Sequence, residues 1–112
     1  MKTNFNLESA ICTSREQSER LLALGLKKET ADMCWTKMAA IRGTFYVPEL
    51  APINMVSWRH TPAWSLHRLL CLYNVHYLEF MGDTEIASAY DIVIDAIEMA
   101  INGGYFSEKY LV

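Results

Sequence analysis

The chain has 112 residues and a formal net charge of −3, and 52% of its residues are hydrophobic. This length fits one domain, which we expect to span residues 1–112 and to bury about two thirds of its unfolded surface. The longest stretch without Lys, Arg, Asp or Glu has ten residues, about half of what a membrane-spanning helix needs. The sequence therefore predicts no transmembrane segment. Lys2 is followed by no apolar run, so we expect no secretory signal and a cytoplasmic location.

Capping signals place the first helix near residues 14–24. Thr13 and Glu16 have the spacing of a capping box, and Gly25 provides a stop. Residues 28–32 can form a further helical turn. This part of the chain is therefore expected to be helical.

The middle of the chain is rich in residues that favour strands. Residues 34–37 either begin a strand or belong to a longer helix that ends at Gly43, and we predict the strand. A second strand is predicted over residues 44–47, stopped by Pro48. Residues 53–56 alternate well enough to form an extended segment.

The second half begins with a helix and a strand. Thr61 followed by Pro62 has the pattern of a cap and a first-turn proline, which predicts a helix over residues 62–72. Its leucines recur at i, i+3 and i+4, so one side should face the core. Residues 74–81 alternate as a strand.

The last helix, predicted over residues 89–102, has both ends marked in the sequence. Ser88 and Asp91 form a capping box, and Gly103-Gly104 supplies a left-handed stop. Its polar side chains form one narrow strip, and its apolar arc is much wider than the roughly 100° that a surface helix needs. We therefore expect this helix to be covered on more than one side, by a sheet and by something else. The C-terminal aromatic residues that follow it should dock on the body.

Together these elements predict an α+β fold, a single domain of about three helices packed on a small, mostly antiparallel sheet. Ile92 and Met99 add apolar surface at the edge of the last helix's polar strip. This edge predicts a homodimer or a stable contact with another protein.

Three blocks of the sequence share the order and spacing of a known group of proteins. The matching residues are Ile11-Cys12-Thr13, Gln17-Ser18, Leu21-Leu22, Leu24-Gly25-Leu26, Thr30-Ala31-Asp32-Met33, Trp35, Pro62-Ala63-Trp64-Ser65-Leu66, Leu69-Leu70, Asp95-Ala96, Glu98-Met99, Gly104-Tyr105-Phe106 and Tyr110-Leu111. They resemble a family of small proteins of unknown function encoded in prophage and mobile-element regions of anaerobic gut bacteria. The resemblance covers about half of the chain and leaves out residues 36–60 and 73–90. It implies a single folded unit in a mobile element, and it supplies no catalytic residue.

Metal binding has one local signal. His67 and Cys71 are separated by four residues, so on one helix they can share a metal ion. Further ligands would have to come from His60, His76 or Cys34, and two ligands alone do not form a site. The three cysteines include no Cys-x-x-Cys pair, so we predict no metal, no cofactor and no disulfide.

Catalytic patterns are weak. There is no Gly-x-Ser-x-Gly motif and no glycine-rich phosphate loop. Asp91, Asp95 and Glu98 place three carboxylates on one helical strip, which suits a hard cation or an acid/base pair. A helix also needs such a strip simply to be soluble, so we expect no catalytic residue and keep a small enzyme or metal-binding module as a third hypothesis.

A DNA- or RNA-binding module is the second hypothesis. Residues 13–33 have the helix, short glycine turn and second element of a helix-turn-helix. The second element is short and contains Glu29 and Asp32, and the isoelectric point near 5.5 lacks the basic character of phosphate-binding domains. The charge is unevenly spread: residues 1–68 carry nine basic and six acidic side chains, and residues 69–112 carry one and seven. One molecule's first half could attract another's second half, or the charges could simply solvate the surface.

Trp58, Arg59, His60 and Trp64 form the densest group of residue types that dominate protein interfaces. Exposed together they would mark a contact surface, whereas buried tryptophans would belong to the core, which we favour. The leading hypothesis is a non-catalytic accessory protein of a mobile element that binds another protein or a second copy of itself.

Overall fold

The computed structural model describes residues 11–73 and 86–112. These residues form an α+β unit with a three-stranded antiparallel sheet, as the sequence predicts. Its α-helices are α1 (Arg15–Ala23), α2 (Leu66–Leu72) and α3 (Ile86–Gly103), its strands are β1 (Met33–Ala40), β2 (Gly43–Leu50) and β3 (His60–Ala63), and 3₁₀ turns lie at Lys28–Thr30 and Glu108–Tyr110. The strand predicted over 74–81 lies outside the described residues. Among the described helices, none combines the length and the apolar character needed to cross a membrane.

Helix α1 begins where the sequence predicts, but with different capping residues. Ser14 Oγ accepts a hydrogen bond from the Gln17 N–H (3.1 Å), and Gln17 Oε1 accepts one from the Ser14 N–H (2.8 Å). The predicted capping box of Thr13 and Glu16 is therefore wrong by one residue. Thr13 does not cap the helix because it bonds to a residue distant in sequence: its N–H donates to Trp64 O (2.9 Å), and its Oγ1 accepts from the Trp64 N–H (3.1 Å).

The sheet has the order β2-β1-β3, and its first two strands are longer than predicted. Strands β1 and β2 pair along their full lengths and are joined by a two-residue turn at residues 41–42. We expected β2 to stop at Pro48, but the strand continues to Leu50. Proline is tolerated there because β2 is an edge strand. Residues 53–56, predicted to be extended, belong to an irregular loop.

The prediction for Thr61-Pro62 is wrong. These residues do not start a helix but lie in β3, where Thr61 is opposite Trp35 of β1. Helix α2 begins four residues later, and Ser65 Oγ caps it by accepting from the Arg68 N–H (3.1 Å). A threonine-proline pair suits a strand edge as well as a helix start, and pairing with β1 decides between them.

Helix α3 begins at Ile86, so Ser88 lies inside the helix and is not its cap. It ends as predicted, with Gly104 in the left-handed region at φ +78°. The C-terminal segment docks on the body as expected, since the Val112 N–H donates to Gly25 O (2.8 Å) and the Lys27 N–H donates to Tyr110 O (2.8 Å).

The main hydrophobic core is formed by the three helices together with residues from the loops and the C-terminal segment. Its buried members are Leu21, Leu26, Trp64, Leu69, Leu72, Tyr90, Val93, Ile94, Ile97, Ala100 and Phe106. Helix α3 supplies five of these and contacts α1 and α2. Its wide apolar arc is therefore covered chiefly by other helices. A second, smaller cluster under the sheet contains Cys12, Met33, Trp35 and Ala63.

Candidate functional site

The two tryptophans of the predicted contact group are in opposite environments. Trp64 is fully buried, and its Nε1–H donates to Thr30 Oγ1 (2.9 Å). Trp58 is 72% exposed, and Arg59 is exposed beside it. Trp64 is therefore a core residue and leaves the set of candidate contact residues, whereas Trp58 and Arg59 remain in it.

The polar groups nearest Trp64 hold elements together. Asp32 accepts hydrogen bonds from the Ser65 N–H (2.8 Å) and from Ser65 Oγ (2.5 Å), and Arg68 Nε donates to Thr30 O (2.7 Å). Ser65 is thus occupied as a helix cap and as a donor to a carboxylate. The hydrogen bonds of this cluster have a structural role.

The cysteines are divided between the interior and the surface. Burial raises the pKa of Cys12 to about 12, with smaller contributions from the charges of Asp32 and Cys34. Burial likewise raises the pKa of Cys34. Cys71 is exposed, with its Sγ 3.6 Å from Nε2 of His67.

The possible metal ligands do not converge. Within the described residues, no group of three or more His, Cys, Asp or Glu side chains is placed to hold a metal ion. His67 and Cys71 form a two-residue pair, and His60 instead accepts a hydrogen bond from the Val56 N–H at its Nδ1 (2.9 Å). His76 lies outside the described residues.

The carboxylate strip of α3 faces α1. Arg20 Nη2 bonds to Asp95 Oδ1 (2.7 Å) and to Glu98 Oε1 (2.5 Å), and Gln17 Nε2 donates to Asp91 Oδ1 (2.7 Å). These bonds, first to Glu98 and then to Asp95, raise the pKa of Arg20. The carboxylate strip was predicted as a candidate cation or acid/base site. In the structure, two of its carboxylates bond to the guanidinium of Arg20 in the same chain.

The helix-turn-helix predicted over residues 13–33 is not formed. After α1 the chain makes a single 3₁₀ turn at Lys28–Thr30 and enters β1 at Met33. A helix-turn-helix reads DNA with its second α-helix, and this segment has a strand there.

Exposed apolar side chains concentrate in the β1–β2 hairpin and the loop after it. Of the ten large hydrophobic residues that are exposed in the described part of the chain, six lie between residues 41 and 58. These six are Ile41, Phe45, Leu50, Ile53, Val56 and Trp58.

One of these side chains, Phe45, lies on a face of the sheet that Leu50 does not share, because Leu50 alternates to the opposite face. Alternation along the strands places Met38 and Phe45, which are directly opposite each other, on the same face as His60. The hydrogen bond from the Val56 N–H to His60 holds Val56 next to that face, and Trp58 lies in the chain between these two residues. We call this surface, formed by Met38, Phe45, Val56, Trp58 and His60, the outer sheet face.

Part of the opposite face of the sheet is covered by the chain itself. Trp35 Nε1 donates to Thr13 O (2.8 Å), and Arg15 stacks on the ring of Tyr46 with its Cζ 3.7 Å from the ring centroid. These contacts cover the part of the opposite face around Trp35 and Tyr46, whereas Leu50, on the same face, is 79% exposed.

In the part of the chain that the structure describes, both edges of the sheet carry a proline at a position that needs no ladder hydrogen bond. The Lys37 N–H donates to Arg59 O (2.8 Å), so odd-numbered residues of β1 bond to β3 and even-numbered ones to β2. Pro48 lies opposite Trp35, and its nitrogen therefore points to the open side of β2. The same alternation turns the nitrogen of Pro62 to the open side of β3. Prolines at edges oppose the addition of another strand, so contacts with a partner are expected through side chains on the sheet face.

Two depressions lie beside the outer sheet face. One has a volume of about 370 Å³ between the 3₁₀ turn at Lys28–Thr30 and residues 51–55. The other, of about 150 Å³, is lined by Leu22, Lys28, Met55, Ser57, His60 and Pro62. Lys28 and Met55 border both, so the two depressions adjoin each other.

The predicted contact edge of α3 is only partly exposed. Met99 is 74% exposed, but Ile92 is half-buried. Sequence reasoning found Trp58, Arg59, His60 and Met99 but missed Phe45 and its neighbours on the hairpin. Apolar and polar residues alternate along a strand in the same way whether its apolar face is exposed or covered. The sequence pattern therefore does not distinguish an exposed apolar strand residue from a buried one.

Comparison with known proteins identifies no relative of this chain. No family model, no curated protein and no solved structure matches the chain.

Proposed function

We propose that the protein is a non-catalytic binding module that acts by contacting another protein through its outer sheet face. The observation that carries this proposal is that, of the ten large hydrophobic residues exposed in the described part of the chain, six lie between residues 41 and 58. A concentration of exposed apolar side chains on a folded domain is typical of interaction sites.

The composition of the surface supports the same function. Trp58 is of the residue type that contributes most to binding when a partner covers it. Arg59 is exposed beside Trp58 and places a charged side chain next to it. The hydrogen bond between the Val56 N–H and His60 orders the loop before binding (2.9 Å), which lowers the entropic cost of association.

The setting proposed for this activity is that of a cytoplasmic accessory protein of a mobile element. The three sequence blocks that resemble the mobile-element family support this setting. Such proteins can act by occupying a surface of another protein, which requires exposed contact residues and no catalytic group.

The proposal is tested by capture from the native host with the tagged full chain. Trp58→Ala and Phe45→Ala are expected to lose the captured protein, because each removes exposed contact area without disturbing the core. Tyr105→Ala is the matched control, since Tyr105 is 81% exposed but lies elsewhere, and it should retain the protein.

Circular dichroism would confirm that all three variants are folded. Capture that is identical in all variants would contradict the proposal. Salt-sensitive recovery of nucleic acid in place of a protein would also overturn it in favour of a nucleic-acid-binding module.

A further inference from the structure

Helix α2 presents a histidine and a cysteine side by side at the surface. His67 and Cys71 lie one helical turn apart, and both are exposed. Cys71 Sγ is 3.6 Å from His67 Nε2. Arg68, the only Lys, Arg, Asp or Glu of α2, is held at the 3₁₀ turn by the bond of its Nε to Thr30 O (2.7 Å). Among the contacts of the described residues, the side chains of His67 and Cys71 have no polar partner except each other.

The distance between the two atoms matches the geometry of a tetrahedral metal ion. Zinc binds a cysteine sulfur at about 2.3 Å and a histidine nitrogen at about 2.0–2.1 Å, almost always with tetrahedral angles in structural sites. These lengths and angles place the sulfur and the nitrogen about 3.5–3.6 Å apart, whereas a linear ion would hold them about 4.3–4.4 Å apart. The observed 3.6 Å therefore fits a tetrahedral ion chelated by this pair.

One chain supplies half of the ligands that such an ion needs. Structural zinc sites are closed by four protein ligands. Within residues 11–73 and 86–112, no third His, Cys, Asp or Glu side chain joins the pair to hold a metal ion. Two ligands do not form a site in one chain, which is why the sequence predicts no metal. A second copy, related by a twofold axis through the ion, repeats the pair and completes the set, and twofold pairing is the commonest arrangement of identical chains.

We propose that His67 and Cys71 form half of a zinc site, which a second copy of this chain completes with the same two residues. Each Cys71 thiol loses its proton to solvent, and its sulfur donates an electron pair to the ion. Each His67 binds through the lone pair of Nε2 and keeps its proton on Nδ1. The two thiolates balance the charge of Zn²⁺, so the completed site is neutral.

This site goes beyond the proposed function, because it contains none of the residues of the outer sheet face. A zinc-bridged pair of chains carries that surface twice. Two linked contact surfaces raise the overall affinity for a partner that has two binding positions, without any new contact. Zinc binding would therefore strengthen the capture of such a partner.

Sedimentation velocity tests the bridge on the full chain. Protein freed of metal with a chelator is expected to sediment as a single copy, and zinc chloride added at one ion for every two chains should produce a two-chain species. Excess chelator should reverse the change. Titration with Co²⁺, followed by the charge-transfer absorption from the Cys71 sulfur, should saturate at the same ratio.

Substitutions then test which side chains hold the ion. Cys71→Ser and His67→Ala each remove two of the four ligands of the completed site. Each should weaken zinc binding by more than the roughly 10–100-fold that loss of a hydrogen-bond partner of a ligand costs. His67→Cys keeps two ligand atoms one turn apart and should retain the two-chain species. His60→Gln is the control, because it removes a histidine outside α2, and it should bind zinc as the wild-type chain does.

Circular dichroism would verify that each variant is folded. A wild-type chain that stays a single copy with zinc would overturn the inference, as would saturation at one ion per chain or zinc binding that survives both Cys71→Ser and His67→Ala. None of these results bears on the capture of another protein through Trp58. The zinc site and the proposed function therefore fail or stand independently.

Discussion

Trp58 and Trp64 flank β3 on its two sides, six residues apart, and one is 72% exposed whereas the other is fully buried. Trp64 is fixed by the hydrogen bond of its Nε1–H to Thr30 Oγ1 (2.9 Å). Trp58 lies in the loop that borders the outer sheet face. The short strand between them separates a buried tryptophan from an exposed one.

Truncation of the two tryptophans is expected to affect stability very differently. Trp64→Ala should lower the free energy of unfolding by about 3–5 kcal/mol, because it leaves a cavity in the main core. Trp58→Ala should change it by less than about 0.5 kcal/mol, as is usual for exposed positions. Urea denaturation followed by far-ultraviolet circular dichroism measures both. Equal losses would show that the two environments are not as different as described.

The capping residues of α1 provide a second prediction. Ser14→Ala should reduce stability by about 1 kcal/mol, because it removes the side-chain acceptor for the Gln17 N–H. Glu16→Ala is the control and should have a much smaller effect, since Glu16 is exposed. Thermal unfolding of the two variants compares them directly, and a larger loss for Glu16→Ala would support the capping box expected from the sequence.

The elements that sequence patterns predicted well are those whose ends are marked locally. Gly25 and Gly104 both adopt positive φ and end α1 and α3 as expected. The failures arise where a tertiary contact overrides a local preference. Thr13 bonds to Trp64 instead of capping α1, and Pro62 pairs in a strand instead of opening a helix. Neither contact is visible in the spacing of nearby residues.

The bridge between α1 and α3 is expected to contribute modestly. A double-mutant cycle with Arg20→Ala and Glu98→Ala should give a coupling energy of about 0.2–1 kcal/mol, because both side chains are 39% exposed and screened by solvent. The coupling should shrink in high salt. Chemical denaturation of the four proteins measures it, and a salt-independent coupling of several kcal/mol would contradict this account.

Thiol reactivity should follow burial. In the native protein at neutral pH, Cys71 should react with a disulfide reagent rapidly, because it is exposed. Cys12 and Cys34 should react slowly, because burial removes access and raises the pKa of each thiol. Absorbance of the released thiolate would show one fast thiol in the native state and three in denaturant. Loss of the fast phase in Cys71→Ser identifies it, and three fast thiols without denaturant would refute the assignment.

Alkaline pH should destabilise the fold. Burial raises the pKa of Cys12 from 9.0 to about 12 and that of Tyr90 from 10.0 to about 12. The folded state therefore favours the neutral forms, and their contribution is complete below about pH 9 and is lost as the pH rises towards 12. Urea denaturation across this range should show falling stability, with a shallower slope in Cys12→Ala. An identical slope in that variant would show that Cys12 does not contribute.

The candidate surface was only partly accessible to sequence reasoning. Trp58, Arg59 and His60 stood out by residue type, and the structure keeps the first two exposed. The exposure of Phe45 depends on which parts of the sheet the rest of the chain covers, and packing between distant segments decides that. Long-range packing of that kind has no local signature.

Site-specific crosslinking tests the central claim most directly. A photoreactive group attached through Ser57→Cys, in a Cys71→Ser background, lies next to Trp58 without replacing it. His67→Cys in the same background is the control, because His67 is exposed on α2, outside the outer sheet face. The account predicts a covalent adduct with a protein partner or a second copy from position 57 and none from position 67. An adduct from position 67 alone, or none from position 57, would contradict it.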